Sequence, residues 1–110
     1  MILRYLHDGD AIDFTPAEDK PAGSVVVLGD LVGITKRPLK AGELGSLHVV
    51  GVFAFPKATG ADTAIDAGVS VYWDAGAEQA TTESSGNTLL GKTSAAAGDD
   101  DATVPVRLNP

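Results

Sequence analysis

Apolar and polar residues alternate along several short stretches of the chain. In the segment 69–74, Val69, Val71 and Trp73 fall on one face and polar or amphipathic residues on the other. This two-residue period is typical of a half-buried β-strand. It favours a core position for Trp73 over that of an exposed binding anchor. The full set of predicted strands is Ala11–Thr15, Ser24–Leu28, Val32–Lys36, Leu47–Phe55, Val69–Asp74, Glu78–Thr82, Thr88–Thr93 and Thr103–Leu108.

Two of these strands carry further information about their places in a sheet. In the last strand, Val104, Val106 and Leu108 alternate inward, while Pro105 lacks a backbone donor. We therefore expect that strand at an edge, or bonded only on its other side. The run Val25–Leu28 is apolar on both faces, which is typical of a strand that is buried from both sides.

Turn signals separate the predicted strands. Ala-Gly occurs at 22–23, 41–42, 67–68 and 97–98, each time shortly before an apolar or alternating run. These are predicted to be turn-then-strand units, and their unequal intervals exclude a strict repeat period. Helix is limited to a turn or two in Ala58–Ala67 and one turn at Ser94–Ala97. The prediction is all-β: a small Gly-rich β-barrel or β-sandwich with short strands and at most one or two short helical turns.

Composition narrows the class of protein. The chain has 110 residues, which suits one domain, and its net charge of −7 argues against a nucleic-acid partner. It has no cysteine, so disulfides and thiol chemistry are excluded. The start, MILRYLHDGD, becomes charged too early for a signal peptide, and no apolar run approaches the ~20 residues of a membrane span. We expect no membrane association, and synthesis in the cytoplasm without export.

One segment matches a nucleotide-binding pattern. Gly86–Thr93 reads GNTLLGKT and fits G-x-x-x-x-G-K-[ST]. A working phosphate loop follows a buried strand and opens a helix, but here a polar stretch precedes Gly86 and Gly98 closely follows Thr93. We interpret the match as accidental: Gly86 turns the chain and Thr88–Thr93 forms a strand.

Other candidate sites are weak. Asp8–Asp13 lacks the oxygen ligand and terminal Glu of a calcium loop, and Asp99–Asp101 is better interpreted as a solvated loop than as a cation site. His7 and His48 have no spacing typical of zinc, and no hydroxyl has an evident base. The sequence predicts no enzyme activity, no cofactor and no metal.

An ordered series of landmarks resembles a known family. The series is Gly9-Asp10-x-Ile12-Asp13-x-Thr15, Ala22–Gly29, Val32–Thr35, Ala41–Gly45, Gly51-Val52-Phe53-x-x-Pro56-Lys57, Val69-x-Val71-Tyr72-Trp73-Asp74, Leu89–Gly91 and Val104-x-Val106-Arg107-Leu108. From about residue 8 to 109, it resembles small phage and prophage proteins, formerly of unknown function, that are described as capsid cement or decoration proteins.

The resemblance implies a non-enzymatic virion protein on the capsid surface of a tailed phage. Its partner would be the major capsid protein, whose neighbouring subunits it would tie together. Analogy with better-known head-decoration proteins implies a homo-oligomer, with a trimer favoured. The alternative is a host-attachment or carbohydrate-binding β module on the virion surface. An exposed Tyr72 or Trp73 lining a groove would favour this alternative.

The N-terminus supplies the candidate contact residues. We divide the chain into residues 1–7, an N-terminal arm or first strand, and residues 8–110, a single β-rich domain. The first residues are apolar enough to pair with a strand edge on the capsid or on a neighbouring protomer, or to form the first strand of the domain's own sheet. The candidates are Met1, Ile2, Leu3, Arg4, Tyr5 and Leu6.

Overall fold

Short antiparallel strands organise the computed structural model, which describes residues 2–109. Sheet I has the strand order β1-β4-β3-β2, and sheet II has the order β5-β9-β8-β6-β7. The strands are β1 (Ala11–Phe14), β2 (Val25–Leu28), β3 (Leu31–Ile34), β4 (Gly45–His48), β5 (Val52–Pro56), β6 (Ser70–Asp74), β7 (Gln79–Thr81), β8 (Thr88–Thr93) and β9 (Thr103–Leu108). The all-β prediction is confirmed, and residues 2–109 contain no helix, including at 58–67 and 94–97.

The sheets do not close into a barrel. Sheet II curls until its edge strands meet at one point, where Lys57 just after β5 forms an isolated parallel bridge with Ala80 of β7. Val32 and Ile34 of sheet I belong to the same buried cluster as the inward residues of sheet II. The two sheets therefore share one core, as in a sandwich.

That core follows the predicted alternation in β6 and β9. Val71, Val104, Val106 and Leu108 are buried, and Trp73 packs against the cluster while it stays partly exposed. The Trp73 ring meets Phe55 edge-on, with ring centroids 6.0 Å apart. Such aromatic pairs add about 0.5–1.5 kcal/mol beyond the burial of their area.

One predicted strand proves to be two. The apolar run Leu47–Phe55 divides after β4, and the chain passes from sheet I to sheet II at residues 49–51. Val49 donates its backbone N–H to Asp10 in sheet I, whereas the Gly51 carbonyl accepts from Leu108 in sheet II. The hydrophobic period could not reveal this division, because Val49 remains buried at the crossing.

Asn109 fastens the two sheets at that crossing. Its side-chain amide donates to the carbonyl oxygens of Val32 (2.9 Å) and Val49 (2.5 Å). Its backbone N–H donates to Leu90 in β8 at 2.8 Å. One residue thus links β3, the crossing segment and β8.

Two expectations about strand position were wrong. Val25–Leu28 was predicted to be buried from both sides, but β2 is an edge strand whose Val27 is 39% exposed. The Thr103–Leu108 strand was expected at an edge, yet β9 lies between β5 and β8. Pro105 is tolerated there because its carbonyl faces Ser94, which follows the end of β8, so the missing N–H lies where that ladder stops.

The two sheets repeat one topology. The order β1-β4-β3-β2 of sheet I corresponds to β5-β9-β8-β6 of sheet II, with the strands taken in the same chain order. The pairing registers agree: Ala11↔His48↔Ile34↔Val25 in sheet I matches Val52↔Arg107↔Lys92↔Ser70 in sheet II. Strand β7 has no counterpart in sheet I.

A hydrogen-bonded corner supports the correspondence. In sheet I the buried Thr35 hydroxyl donates to the Pro21 carbonyl at 2.8 Å and accepts from the Ser24 N–H at 2.9 Å. The Thr35 carbonyl accepts from Gly23 at 2.6 Å. Gly23 has φ 82°, a conformation that favours glycine.

Sheet II contains the same corner. The buried Thr93 hydroxyl donates to the Asp66 carbonyl at 2.6 Å and accepts from the Val69 N–H at 3.2 Å. The Thr93 carbonyl accepts from Gly68, whose φ is 77°. A two-way backbone bridge adjoins each corner, Lys20↔Leu39 in the first and Ile65↔Ala97 in the second. The chain is therefore built from two halves that share one strand topology and one corner.

Candidate functional site

The nucleotide-binding pattern lies in the interior of sheet II. Residues Thr88–Thr93 form β8, which is paired on both sides by β6 and β9. Asn87 closes the preceding turn by donating to the Ser84 carbonyl at 3.2 Å. The Thr93 hydroxyl is engaged in the corner described above, and the chain continues without a helix to Ala97. This backbone is a ladder strand, and its geometry differs from that of a phosphate loop.

The acidic segment at 99–101 and the two histidines make contacts that do not form a metal site among the described residues. The Asp99 carboxylate accepts the backbone N–H groups of Thr63 (3.1 Å) and Ala64 (2.8 Å) from a different loop, and Asp101 accepts that of Gly98 in its own loop at 2.8 Å. His7 accepts from the Gly9 N–H, and His48 ends β4 with its Nδ1 buried without a partner among the described residues. Across residues 2–109, no group of three His, Asp or Glu side chains is placed to hold a metal ion.

The N-terminal segment stands apart from both sheets. Its four large apolar side chains, Ile2, Leu3, Tyr5 and Leu6, are 76–94% exposed, and the first strand begins only at Ala11. Met1 lies outside the described residues. The hydrogen bond from the Tyr5 hydroxyl to Asp8 raises the pKa of Tyr5, and desolvation and the charge of Asp10 raise it further. Residues 2–6, called the arm below, therefore present apolar side chains to solvent.

A groove opens beside the free edge of β2. Val25 and Val27 line one wall, and Pro56, Trp73 and Ala75 line the other, enclosing a volume of ≈ 660 Å³. The charged residues of its lining are Asp19, Lys20 and Glu78. Exposed apolar side chains next to unpaired backbone groups are a common site for an added strand. The residues named here are called the β2 groove below.

One feature of these surfaces could not be predicted from the sequence. The β2 groove depends on a strand order that no local pattern encodes. Its only local signal is the run Val25–Leu28, which is apolar on both faces and was therefore predicted to be buried on both sides.

No helix within residues 2–109 is long and apolar enough to cross a membrane.

Two antiparallel sheets, an exposed apolar arm and an open apolar sheet edge characterise a small all-β protein. The chain belongs to the phage cement protein family, whose family model matches residues 6–108. The resemblance found in the sequence is therefore confirmed, and the family supports a structural role at the phage capsid. Neither the curated proteins nor the solved structures contain a match to this chain.

Proposed function

We propose that this protein is a non-enzymatic cement protein that binds the assembled capsid of a tailed phage and stabilises it. The match of the cement family to residues 6–108, nearly the whole chain, is the observation that carries this proposal. The major capsid protein is the partner, and the protein acts at the outer surface of the virion after synthesis in the host cytoplasm. It needs no cofactor, nucleic acid or membrane.

Stabilisation would follow from contact with several capsid subunits at once. A homo-oligomer, with a trimer favoured by analogy, places several identical binding surfaces at fixed distances. Once one surface is bound, the others bind at high effective concentration, which raises avidity by about 10²–10⁴. A small β domain held by paired strands keeps that spacing fixed.

The arm is the proposed contact, acting on the capsid or on a neighbouring protomer by strand addition. The exposure of Ile2, Leu3, Tyr5 and Leu6 supports this, because isolated apolar side chains gain about 25 cal/mol for each Å² removed from water. An extended segment also brings its own backbone donors and acceptors to an open strand edge. Residues 8–110 then form the single domain that the arm tethers.

Deletion of residues 1–6 is expected to abolish shell binding and leave the fold of the domain intact. Binding should fall by roughly a hundredfold or more, the range of the avidity that is lost. Co-sedimentation with expanded empty capsids gives the affinity, and size-exclusion chromatography with light scattering gives the number of copies per site. The control Leu44→Ala removes an equally exposed leucine outside the arm and should bind as wild type. Full binding by the deletion variant would show that the arm is not the contact.

A carbohydrate-binding or host-attachment module is the second candidate. Trp73 favours it, because this residue lines the β2 groove and sugars stack on aromatic faces. Trp73 is the sole tryptophan, so its fluorescence reports on ligands at this groove. A panel of host-surface glycans at millimolar concentration is expected to leave that emission unchanged. A saturable change in that emission, together with glycan binding that calorimetry detects for wild type and not for Trp73→Leu, would favour the second candidate.

A further inference from the structure

The repeat between the two halves reveals a missing strand in sheet I. In sheet II, β6 is covered at its outer edge by β7, which arises from the longer connection between β6 and β8. In sheet I the equivalent β2 is joined to β3 through only Gly29 and Asp30, so the chain provides no local counterpart of β7. Among the described strands, β2 pairs with β3 alone.

The backbone of β2 is ready to accept a strand. Thr35 donates its N–H to the Ser24 carbonyl, so Ser24 faces β3. Backbone groups alternate sides along an antiparallel strand, and Val25 and Val27 therefore direct their N–H and C=O groups away from β3. These groups lie at the β2 groove.

The same place is where the shared core opens to solvent. The Val25 and Val27 side chains lie on the face of β2 that continues the buried Val32 and Ile34 of β3, since Val25 pairs with Ile34 and Val27 with Val32. Trp73 lies across the groove, half-buried. A further strand on β2 would extend sheet I over this opening and cover both Val27 and the indole.

We propose that the arm of a second copy of this chain occupies the β2 groove as an added strand. This inference rests on the proposed function and names the surface that receives the arm. In an extended arm, Leu3 and Tyr5 share one face and can cover Val27 and Trp73. Arg4 lies on the opposite face of that strand, away from Val27 and Trp73.

Sheet order favours a second copy over the chain's own arm. The arm continues into β1, which lies at the edge of sheet I opposite β2. Pairing within one copy would require the arm to cross about 19 Å of sheet, four strand spacings, to lie beside β2. An arm-to-groove contact between copies is heterologous, and such contacts close into rings when the rotation permits. A cyclic oligomer on the capsid is the expected product.

Complementation between two variants tests the proposal. Val27→Pro removes an outward N–H without affecting the β2–β3 ladder, whereas the double variant Leu3→Asp, Tyr5→Asp disables the arm. Light scattering of the full chain at about 50 μM should give an oligomer for wild type and monomers for each variant. An equimolar mixture should give a heterodimer, because one intact arm meets one intact groove, with Trp73 emission shifted to the blue. A monomeric wild type, an oligomeric Val27→Pro or a mixture that stays monomeric would each overturn the proposal.

A second substitution guards against misfolding of the proline variant. Val27→Lys places a charge at the partly exposed groove wall and should weaken association roughly tenfold or more. Its matched control is Val52→Lys, since Val52 is an exposed valine on the edge strand β5 and should keep the wild-type mass. If Val27→Lys stays oligomeric and wild type binds capsids, the groove assignment fails while the cement function stands. If wild type self-associates but never binds capsids, the function fails and the groove assignment stands.

Discussion

Lys57→Met is expected to lower the free energy of unfolding by about 3 kcal/mol. The Lys57 side chain is only 5% exposed, and its ammonium donates to the carbonyl oxygens of Ala58 (2.7 Å), Gly98 (2.9 Å) and Asp101 (3.0 Å). Methionine keeps the aliphatic length and supplies no donor. Hydrogen bonds from charged donors contribute about 1.5–3 kcal/mol each. Even if water hydrates some of the carbonyls that lose their donor, the unfolding free energy should therefore fall substantially.

Lys57→Met should also weaken the contact between the two edge strands of sheet II, because Lys57 lies where they meet. Its backbone N–H donates to Ala102, and the residue bridges to Ala80 of β7. Urea denaturation followed by circular dichroism gives the change in unfolding free energy, and the melting temperature should fall by more than about 10 °C. Lys36→Met makes the same substitution at an exposed lysine and should change stability by less than about 0.5 kcal/mol. A Lys57→Met variant as stable as Lys36→Met would show that the three contacts contribute little.

Nothing local in the sequence predicts the burial of Lys57. Lysine is almost never fully buried, and at the end of an alternating strand the obvious expectation is a solvated side chain. Its three partners come from residues 58, 98 and 101, two of them more than forty positions away. Lys57 belongs to the landmark Gly51-Val52-Phe53-x-x-Pro56-Lys57, but its buried hydrogen bonds form only when sheet II curls.

Local patterns did predict most of the strands. Alternation in β6 and β9 placed Val71, Val104 and Val106 inward, and all three are buried. The Ala-Gly turns at 22–23, 41–42 and 67–68 precede β2, β4 and β6 as expected. These features succeed because glycine conformation and two-residue periodicity are properties of neighbouring residues.

Sheet membership was harder to predict, because partners in a sheet are chosen by the whole chain. The apolar run at β2 fits a central strand as well as an edge strand that awaits a partner. The division of Leu47–Phe55 depends on Asp10, Leu108 and Asn109, which hold the crossing from distant positions. The apolar character of the first residues is visible from hydropathy alone, although it left open an arm or a first strand, whereas the β2 groove required the order of strands.

The internal repeat explains why a nucleotide-binding pattern occurs in this sequence. Gly91-Lys92-Thr93 at the end of β8 corresponds to Gly33-Ile34-Thr35 at the end of β3. In both halves the threonine forms the corner, and the glycine leaves room for a close neighbour, the Leu47 side chain at Gly33 and the Arg107 backbone at Gly91. Lys92 is exposed, whereas the equivalent Ile34 of the other half is buried in the core. The glycine and threonine of the pattern are therefore explained by strand geometry.

Gly91→Ala is accordingly expected to destabilise the protein by about 3–5 kcal/mol. A Cβ at Gly91 would lie 1.9 Å from the Arg107 carbonyl oxygen and 3.2 Å from the Asn109 nitrogen. Both are backbone atoms of the chain at β9, so relief requires the ladder to separate. The φ of 157° is a further cost for any residue with a side chain.

Three comparison variants make the prediction specific. Gly33→Ala should cost less than Gly91→Ala, because its Cβ meets the flexible Leu47 side chain, with Cγ at 2.3 Å. Gly76→Ala, whose Cβ would have an ordinary contact of 3.5 Å, should change stability by less than about 0.5 kcal/mol, as should Lys92→Ala at an exposed site. Denaturant titration of the four variants gives the ranking. A phosphate loop would make Lys92 the sensitive position for nucleotide binding, whereas a ladder strand makes Gly91 the sensitive position for folding. A stable Gly91→Ala together with Lys92-dependent binding of ATP and magnesium would therefore reverse the assignment.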